Sequence, residues 1–357
     1  MPTDCGRGML RYTALPAPEE VPFRLPREVP ELGRRLLSRG RLSGALHTLG
    51  YYSTDVCLGT PPRRYDLIVD TGSSITAVPC STCRQCGDHV CGPSGRFDLS
   101  RSSTAGGVTC SGARSVPWLR CGRCSGDEPC PYSVHYTEGS EIRGTVVSDL
   151  AHFQRAAEGS PAANVSARVY FGCQHTETGM FQRQRADGIM GVQASRNRGR
   201  VPSMLSSLVE QYRAPHAFSL CLSDAHGLFL MGGAPSAARL RKANALSLPM
   251  EKGSRALFTL ALAHIRISRT GRANGSTADY VQLGGFSQAS LRPAIVDSGT
   301  TFVYASTPVY RSLVGAIRKQ LPREGPRPKF ARHESKVRAP RVRTRPSEPR
   351  LHRVSRA

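Results

Sequence analysis

The sequence predicts a mostly β protein built as two lobes, and three observations lead there. Strand-like runs punctuated by Gly and Pro dominate the chain, as in "YYSTDVCLG", "ARVYFGC", "GLFLMGG" and "ADYVQLGG". Helical periodicity is confined to two stretches, residues 201–212 ("VPSMLSSLVEQY") and 306–321 ("STPVYRSLVGAIRKQL"). An Asp–Thr–Gly directly after an apolar run, "DLIVDTGSSITAVPC", is matched far downstream by "AIVDSGTTFVY". The length of 357 residues accommodates two domains of about 100–200 residues each.

From the start of the chain, residues 1–46 are rich in Pro and Arg and contain "ELGRRLLSRGRL". They read as a disordered leader or as a pro-like segment whose basic residues cover an acidic cleft, and the composition fits both. Strand texture begins at Leu49 and continues to about Tyr304, followed by one helix. Residues 322–357 carry twelve Lys and Arg against three acidic residues among many prolines, which predicts a disordered basic tail.

The formal net charge is +23. The tail supplies +9 of it, and the other +14 is spread as scattered arginines. Among the tail arginines a single aromatic residue, Phe330, is present and no nucleic-acid motif is found, so nucleic acid is not an expected partner. A tail acting as an arm for nucleic acid or an anionic membrane is a separate reading, whose signature is steeply salt-dependent binding by residues 322–357 alone. No stretch approaches about 18 apolar residues, and "MPTDCGRGMLRYTALPAPEEV" lacks the apolar core of a secretory signal. A membrane anchor is expected only outside the present chain.

Eight of the twelve cysteines lie between residues 80 and 130: Cys80, Cys83, Cys86, Cys91, Cys110, Cys121, Cys124 and Cys130. Their spacings of 3, 3, 5, 19, 11, 3 and 6 lack the regular tetrads of a zinc site. A disulfide framework is the favoured reading, with its pairing left open. Two sequons, at Asn164 and Asn274, are compatible with a secreted fold. An oxidising compartment requires a signal, so the chain is expected not to begin at the natural N-terminus.

A carboxylate at the end of an apolar strand is costly unless hydrogen-bonded. Thr71 and Ser298 follow the two aspartates and supply hydroxyls, while Gly72 and Gly299 allow tight turns and close backbone approach. Two such loops facing each other would set Asp70 and Asp297 side by side. Carboxylates about 3 Å apart cannot both ionise and share a proton. One then activates a water and the other protonates a carbonyl, which is peptide hydrolysis without a covalent intermediate, a metal or a cofactor.

These residues resemble the pepsin-like aspartic proteases. "YYSTDVCLGTPPRRYDLIVDTGSS" is similar to the family's first catalytic segment, "HYTEGSEIRGTVVSD" to its flap hairpin, "ADGIMG" to the segment that completes the first ψ-loop, and "GLFLMGG" with "AIVDSGTTFVY" to the second lobe. The resemblance covers about residues 49–320. The cysteine-rich stretch is similar to the plasmepsin V-like and nepenthesin-like type. The resemblance implies a bilobal fold with two ψ-loops, a first lobe over 47–236 with a cysteine-rich insert at 80–130 and a flap at 132–149, and a partial second lobe over 237–321. It implies catalytic Asp70 and Asp297, supported by Thr71, Gly72, Ser73, Ser298, Gly299 and Thr300, with Tyr136, Glu138, Gly139 and Gln184 on the substrate. Glu138, in the flap, is expected to pair with a substrate Arg, and Gln184 to face the same pocket. A monomer acting on protein or peptide substrates in the secretory pathway (endoplasmic reticulum or Golgi) or outside the cell is implied, as is the processing of motifs built on Arg and Leu.

The sequence departs from the family twice. Ala77 stands where pepsins carry a Trp that holds the flap Tyr, and the one Trp, Trp118, lies in the insert. Sixty residues follow Asp297, fewer than the family's second lobe needs, so that lobe is expected to be incomplete and the last segment foreign to it. The alternative reading is therefore a catalytically inactive protease fold that binds a partner.

Overall fold

In a computed structural model of the chain, the residues described are 37–45, 49–87, 89, 95–154, 164–193, 201–223, 226–232, 248–250, 257–268, 280–320 and 351–354. The chain divides into two compact units, one of residues 1–247, 255–258 and 297–299, the other of residues 248–254, 259–296 and 300–357.

The first unit carries β1 (Ser38–Ala45), β2 (Tyr51–Leu58), β3 (Arg63–Asp70), β4 (Thr76–Pro79), β5 (Gly106–Gly107), β6 (Pro131–His135), β7 (Glu141–Gln154), β8 (Asn164–Glu177), β9 (Gly188–Gly191), β10 (Phe218–Leu222) and β11 (His226–Met231). They form one sheet in the order β10-β11-β1-β2-β3-β9-β4-β8-β7-β5, with β6 on β7. A second pairing of β2 with β7, at Leu58 and Ala151, folds the sheet back on itself. Between the layers lies a core that includes Leu42, Tyr65, Phe97, Phe171, Met190, Leu205 and Phe229, with Phe97 edge-on to Phe171 at 5.0 Å. A second cluster gathers Tyr51, Ile75, Ala77, Tyr132, Phe181 and Ile189.

The helix α1 (Met204–Tyr212) falls inside the window that periodicity marks. Ser203 caps it by accepting from the Ser206 amide at 3.1 Å, one of the donors a helix start leaves without an internal partner. Arg213 ends it in the left-handed region at φ 48°.

The second unit pairs β12 (Thr259–Leu260) with β15 (Ala294–Ile295), β13 (Arg266–Ser268) with β14 (Tyr280–Gln282), and β16 (Val303–Ser306) with β17 (Leu351–Val354). Its helix α2 (Thr307–Gln320) has Pro308 in the first turn, where a missing amide costs nothing. Leu291, Ala305 and Val309 form its small buried cluster. The chain is mostly β, as the strand texture requires. No helix among the described residues is long and apolar enough to cross a membrane.

Two segments near the ends form strands. Residues 38–45, within the stretch read as a disordered leader or a pro-like segment, form β1, paired with β11 from Ser38 to Ser43 and with β2 from Ser43 to Ala45. The period-2 signal is there, since Leu42 is buried between exposed Arg41 and Ser43. Gly and Arg around it hide that signal in composition. Residues 351–354, read as tail, form β17.

The cysteines form disulfides Cys80–Cys173, Cys83–Cys86, Cys110–Cys124 and Cys121–Cys130. Cys57 is also disulfide-bonded, and Cys91 lies outside the described residues. Cys80 reaches out of the cluster across 93 residues to Cys173, beside the parallel pairing of β4 with β8. By restricting the unfolded chain such a link contributes about 2–5 kcal/mol.

β9 pairs parallel with β3 and antiparallel with β4, so it threads between them. Gly188 makes this possible: a Cβ there would meet the Ala77 carbonyl and lie 3.2 Å from Leu67 Cδ2. We expect Gly188→Ala to destabilise the protein by about 1–3 kcal/mol through overpacking, measured by urea unfolding. An unchanged midpoint would contradict the threading.

Candidate functional site

β3 ends in Leu67, Ile68 and Val69, all buried, and its last residue is Asp70, only 4% exposed. The chain must therefore satisfy a carboxylate at the edge of the core. It does so locally. The Gly72 amide donates to Asp70 Oδ1 at 2.7 Å, and the Ser73 hydroxyl donates to Oδ2. The loop is braced from below, since the Val192 amide donates to the Asp70 carbonyl at 2.9 Å and the Gln193 amide to the Ser73 carbonyl at 3.0 Å.

Asp297, Ser298 and Gly299 belong to the same compact unit as Asp70. The Thr71 amide donates to Ser298 Oγ at 3.1 Å, and the Ser298 amide donates to Thr71 Oγ1 at 2.9 Å, across 227 positions of sequence. Ser298 Oγ in turn donates to the Val69 carbonyl at 2.7 Å. The Gly299 amide donates to Asp297 Oδ1 at 2.9 Å, repeating the Gly72–Asp70 bond. Each glycine faces the opposite carboxylate. A Cβ on Gly72 would lie 2.6 Å from Asp297 Oδ2, and one on Gly299 would collide with Asp70 Oδ1. Each loop thus comes up against the other's carboxylate at a glycine, with a backbone clear enough to allow that approach.

Burial and then the negative charge of Asp297 push the Asp70 carboxyl up to about 7, against the hydrogen bonds of Ser73 and Gly72, which favour the ionised form. One carboxyl of this kind holds a proton in the range where an ordinary aspartate has lost it.

β6 and β7 form a hairpin whose tip is Tyr136–Ser140. The Tyr136 amide donates to the Ser140 carbonyl at 2.9 Å and the Gly139 amide to the Tyr136 carbonyl at 3.0 Å. Gly139 turns at φ 98°, a conformation that favours glycine. The Tyr136 hydroxyl is buried and interacts with the Ser73 side chain. Burial, then the charge of Asp70, holds its pKa well above the ordinary tyrosine value. Ala77 is buried, and the Tyr136 ring rests instead on Phe181, centroids 5.0 Å apart. Glu138 is half-buried at the tip. Gln184 ends the short 3-10 helix Gly179–Arg183 and buries an amide nitrogen without a partner among the described residues. No hydrogen bond joins it to Glu138 among those residues. Thr300 belongs to the second unit.

Sequence reading missed several supports. The side chains of His89 and Glu177 are both 0% exposed, with Nε2 to Oε2 at 2.7 Å. His89 Nδ1 faces the Ala186 carbonyl at 2.9 Å, and the Gly87 amide donates to Glu177 Oε2 at 3.1 Å. A carbonyl only accepts, so Nδ1 carries a hydrogen. Nε2 faces the Glu177 carboxyl, the partner that favours a second hydrogen on the ring. Burial lowers the His89 pKa, and the bond and charge of Glu177 more than offset this, leaving it raised. The pair fastens the cysteine-rich loop to the segment leading into β9. Asp187 accepts from the Asp66 amide at 2.8 Å, and the Tyr51 hydroxyl accepts from the Arg185 and Ala186 amides. Only the Asp–Gly pair before β9 hints at these contacts in the sequence.

The family pattern described as xylanase inhibitor N-terminal matches residues 52–233, just over half of the chain. The chain belongs to this family. Xylanase inhibitor N-terminal domains are of the pepsin-like aspartic-protease type. Among curated proteins, the chain is 33% identical to aspartic protease 5 of Toxoplasma gondii over 241 residues, covering 61% of this chain and 24% of that protein. It is 30% identical to plasmepsin V of Plasmodium falciparum over 202 residues, 55% of this chain and 31% of that protein. It is 27% identical to aspartic proteinase 36 of Arabidopsis thaliana over 278 residues, 76% of this chain and 53% of that protein. The chain thus spans between about a quarter and a half of the length of these relatives.

The raised Asp70 pKa has a consequence for stability. Below its ordinary value of 3.8, Asp70 is protonated in both the folded and unfolded chain. Between there and about 7 the folded protein keeps a proton that the unfolded chain has lost, so this group's contribution to stability falls as pH rises. We expect the melting-temperature difference, Asp70→Asn minus wild type, to grow from about pH 4 to about pH 7 and then level off in calorimetry. A difference independent of pH would contradict the burial of this charge.

Proposed function

We propose that the chain is an aspartic-type endopeptidase whose catalytic dyad is Asp70 and Asp297. The observation that supports this best is the reciprocal Thr71–Ser298 pair of amide-to-hydroxyl bonds. It ties the loop that carries Asp70 to the loop that carries Asp297, which supports the two carboxylates acting as a pair. In this reading a water lies between the carboxylates. Ionised Asp297 takes its proton as the oxygen attacks the peptide carbonyl carbon. Protonated Asp70 gives its proton to the carbonyl oxygen. The tetrahedral species then collapses, the C–N bond breaks, and the amine leaves with a proton returned by the dyad. Thr71, Gly72, Ser73, Ser298, Gly299 and Thr300 support the loops, and the flap with Tyr136 and Gly139 closes over the substrate. Strand order β3-β9-β4 fits the first of two ψ-loops.

The finer reading concerns specificity and place. Glu138, half-buried on the flap, suits a substrate guanidinium, bidentate and partly desolvated; Gln184 is the second candidate for that pocket. This fits processing of Arg- and Leu-containing motifs in the secretory pathway, to which the four disulfides also point. A second reading, a protease fold that binds without turnover, is supported by the inhibitor named in the family description.

Two experiments test these proposals. Asp70→Asn and Asp297→Asn should each lower the cleavage rate of an Arg-containing peptide by about 10²–10⁴-fold, as expected for removal of a general acid or base. Cleavage that survives either change ends the dyad reading. Binding of a pepstatin-type inhibitor by a wild type that turns nothing over would favour the binding protein. Glu138→Ala should reduce the preference for Arg over Leu peptides by about 10–100-fold, read as a ratio of kcat/KM values, and an unchanged ratio rejects Glu138 as the selector.

A further inference from the structure

The cysteine-rich insert brings sulfurs of two different disulfides together. Cys110 is bonded to Cys124, and Cys121 to Cys130. Yet the Sγ atoms of Cys110, Cys121 and Cys124 all lie within 4.8 Å of one another. Cys121 and Cys124 are therefore neighbours in space and in a C-x-x-C sequence, without being bonded to each other. A structural framework would be served by sulfurs kept apart. Three at this separation allow one bond to exchange for another with little movement.

The same three cysteines line a cleft of about 350 Å³, whose wall also carries Arg114, Leu119 and Arg120. Both arginines are exposed. Arg120 Nη1 donates to the Leu119 carbonyl at 2.7 Å, and neither guanidinium makes an ion pair among the described residues. Two uncompensated cations beside sulfur favour the thiolate form and attract carboxylates. Cys121 and Cys124 are half-buried and Cys110 is 8% exposed, whereas Cys130, the partner of Cys121, is fully buried. An incoming thiolate can therefore approach the cleft sulfurs and not Cys130.

We propose that this cleft is a thiol–disulfide exchange site that takes small carboxylate-bearing thiols and resolves to a Cys121–Cys124 bond. The thiolate RS⁻ attacks Cys110 Sγ, forming R–S–S–Cys110 and releasing Cys124 as a thiolate. Cys124 attacks Cys121 Sγ, forming the Cys121–Cys124 bond and expelling Cys130. A second RS⁻ attacks the sulfur of the bound R group, releasing RSSR and Cys110. The two thiolates left on the protein take up the two protons the reagent thiols gave up. In sum, two thiols are oxidised to one disulfide and the protein's two bonds become one.

The exchange has a mechanical result. Cys130 directly precedes β6, the strand that leads to Tyr136. Its amide donates to the Val108 carbonyl and its carbonyl accepts from the Val146 amide, each at 2.8 Å. The Cys121–Cys130 bond ties the residue that leads into this strand to the body of the insert. The exchange cuts that tie while leaving Cys80–Cys173, both of whose cysteines are buried, intact. The inference rests on the sulfurs and the cleft and is independent of the proposed dyad.

The test treats the native full chain with reduced glutathione, quenches with acid, alkylates with N-ethylmaleimide in denaturant so that buried thiols react, and maps the linkages by mass spectrometry. We expect Cys121 linked to Cys124, with Cys110 and Cys130 alkylated, before Cys80–Cys173 opens. The Arg114→Ala, Arg120→Ala double variant should exchange about 3–10-fold more slowly with glutathione and at an unchanged rate with uncharged 2-mercaptoethanol, since only the first is drawn by charge. Failure of the Cys121–Cys124 link to appear overturns the exchange. Equal slowing with both thiols overturns the carboxylate recognition.

Discussion

The site depends on one constraint, that the carboxylate ending β3 must be satisfied without a cation. Asp70 is nearly fully buried, and an arginine or lysine beside it would hold it ionised. The chain uses a backbone amide and a hydroxyl instead, from Gly72 and Ser73. Both are neutral, so the balance of charge is left to the second carboxylate. The requirement spreads outward. The amides of Val192 and Gln193 brace the loop, and β9 must thread between β3 and β4 to supply them. Gly188 and Gly191 are glycines for that reason: a Cβ on Gly191 would come 2.5 Å from the Ser73 carbonyl.

The two loops are joined by the same chemistry. Thr71 and Ser298 each donate an amide and accept at a hydroxyl. A neutral hydrogen bond contributes only about 0.5–1.5 kcal/mol net, so these bonds are not strong glue. Their value is directional. Two bonds in opposite senses fix both translation and rotation of one loop against the other, and a proton shared between carboxylates needs that fixity. The Ser298 hydroxyl, bonded on to the Val69 carbonyl, ties the arrangement into the strand itself.

What was legible in the sequence was what is encoded locally. Each aspartate comes with its hydroxyl and glycine within three residues, so the loops could be read without knowing what faces them. The hairpin of β6 and β7 falls in the segment that was read as a flap only through its resemblance to the family. Partners fixed by sheet register were not legible. Cys173 became the partner of Cys80 only because β4 runs parallel to β8. Phe181 came under Tyr136 through a 3-10 turn with no periodicity to betray it. Buried Ala77 showed that the flap lacked an aromatic support from β4. It could not show where another would come from. Nothing in the sequence singled out His89 and Glu177, because their pairing is made by long-range packing alone. β1 was hidden by composition, with Arg39 and Arg41 exposed on the face opposite Leu42.

The chain's charge gives a last measure of which effects govern the candidate site. A net +23 should draw carboxyl pKa values down if the whole field mattered. Asp70 nevertheless goes up to about 7, driven first by burial and then by Asp297. The resolution is one of distance and dielectric. Charges spread over the surface are screened within about 8 Å at physiological ionic strength. Asp297 approaches Asp70 at glycines with no room for a Cβ, and Asp70 is only 4% exposed, so screening between the two is weaker than at the surface. Local desolvation and one adjacent like charge therefore outweigh many distant opposite ones. The arginines of this protein can vary widely in number without altering the proton held at Asp70, whereas one methyl group at Gly72 or Gly299 would.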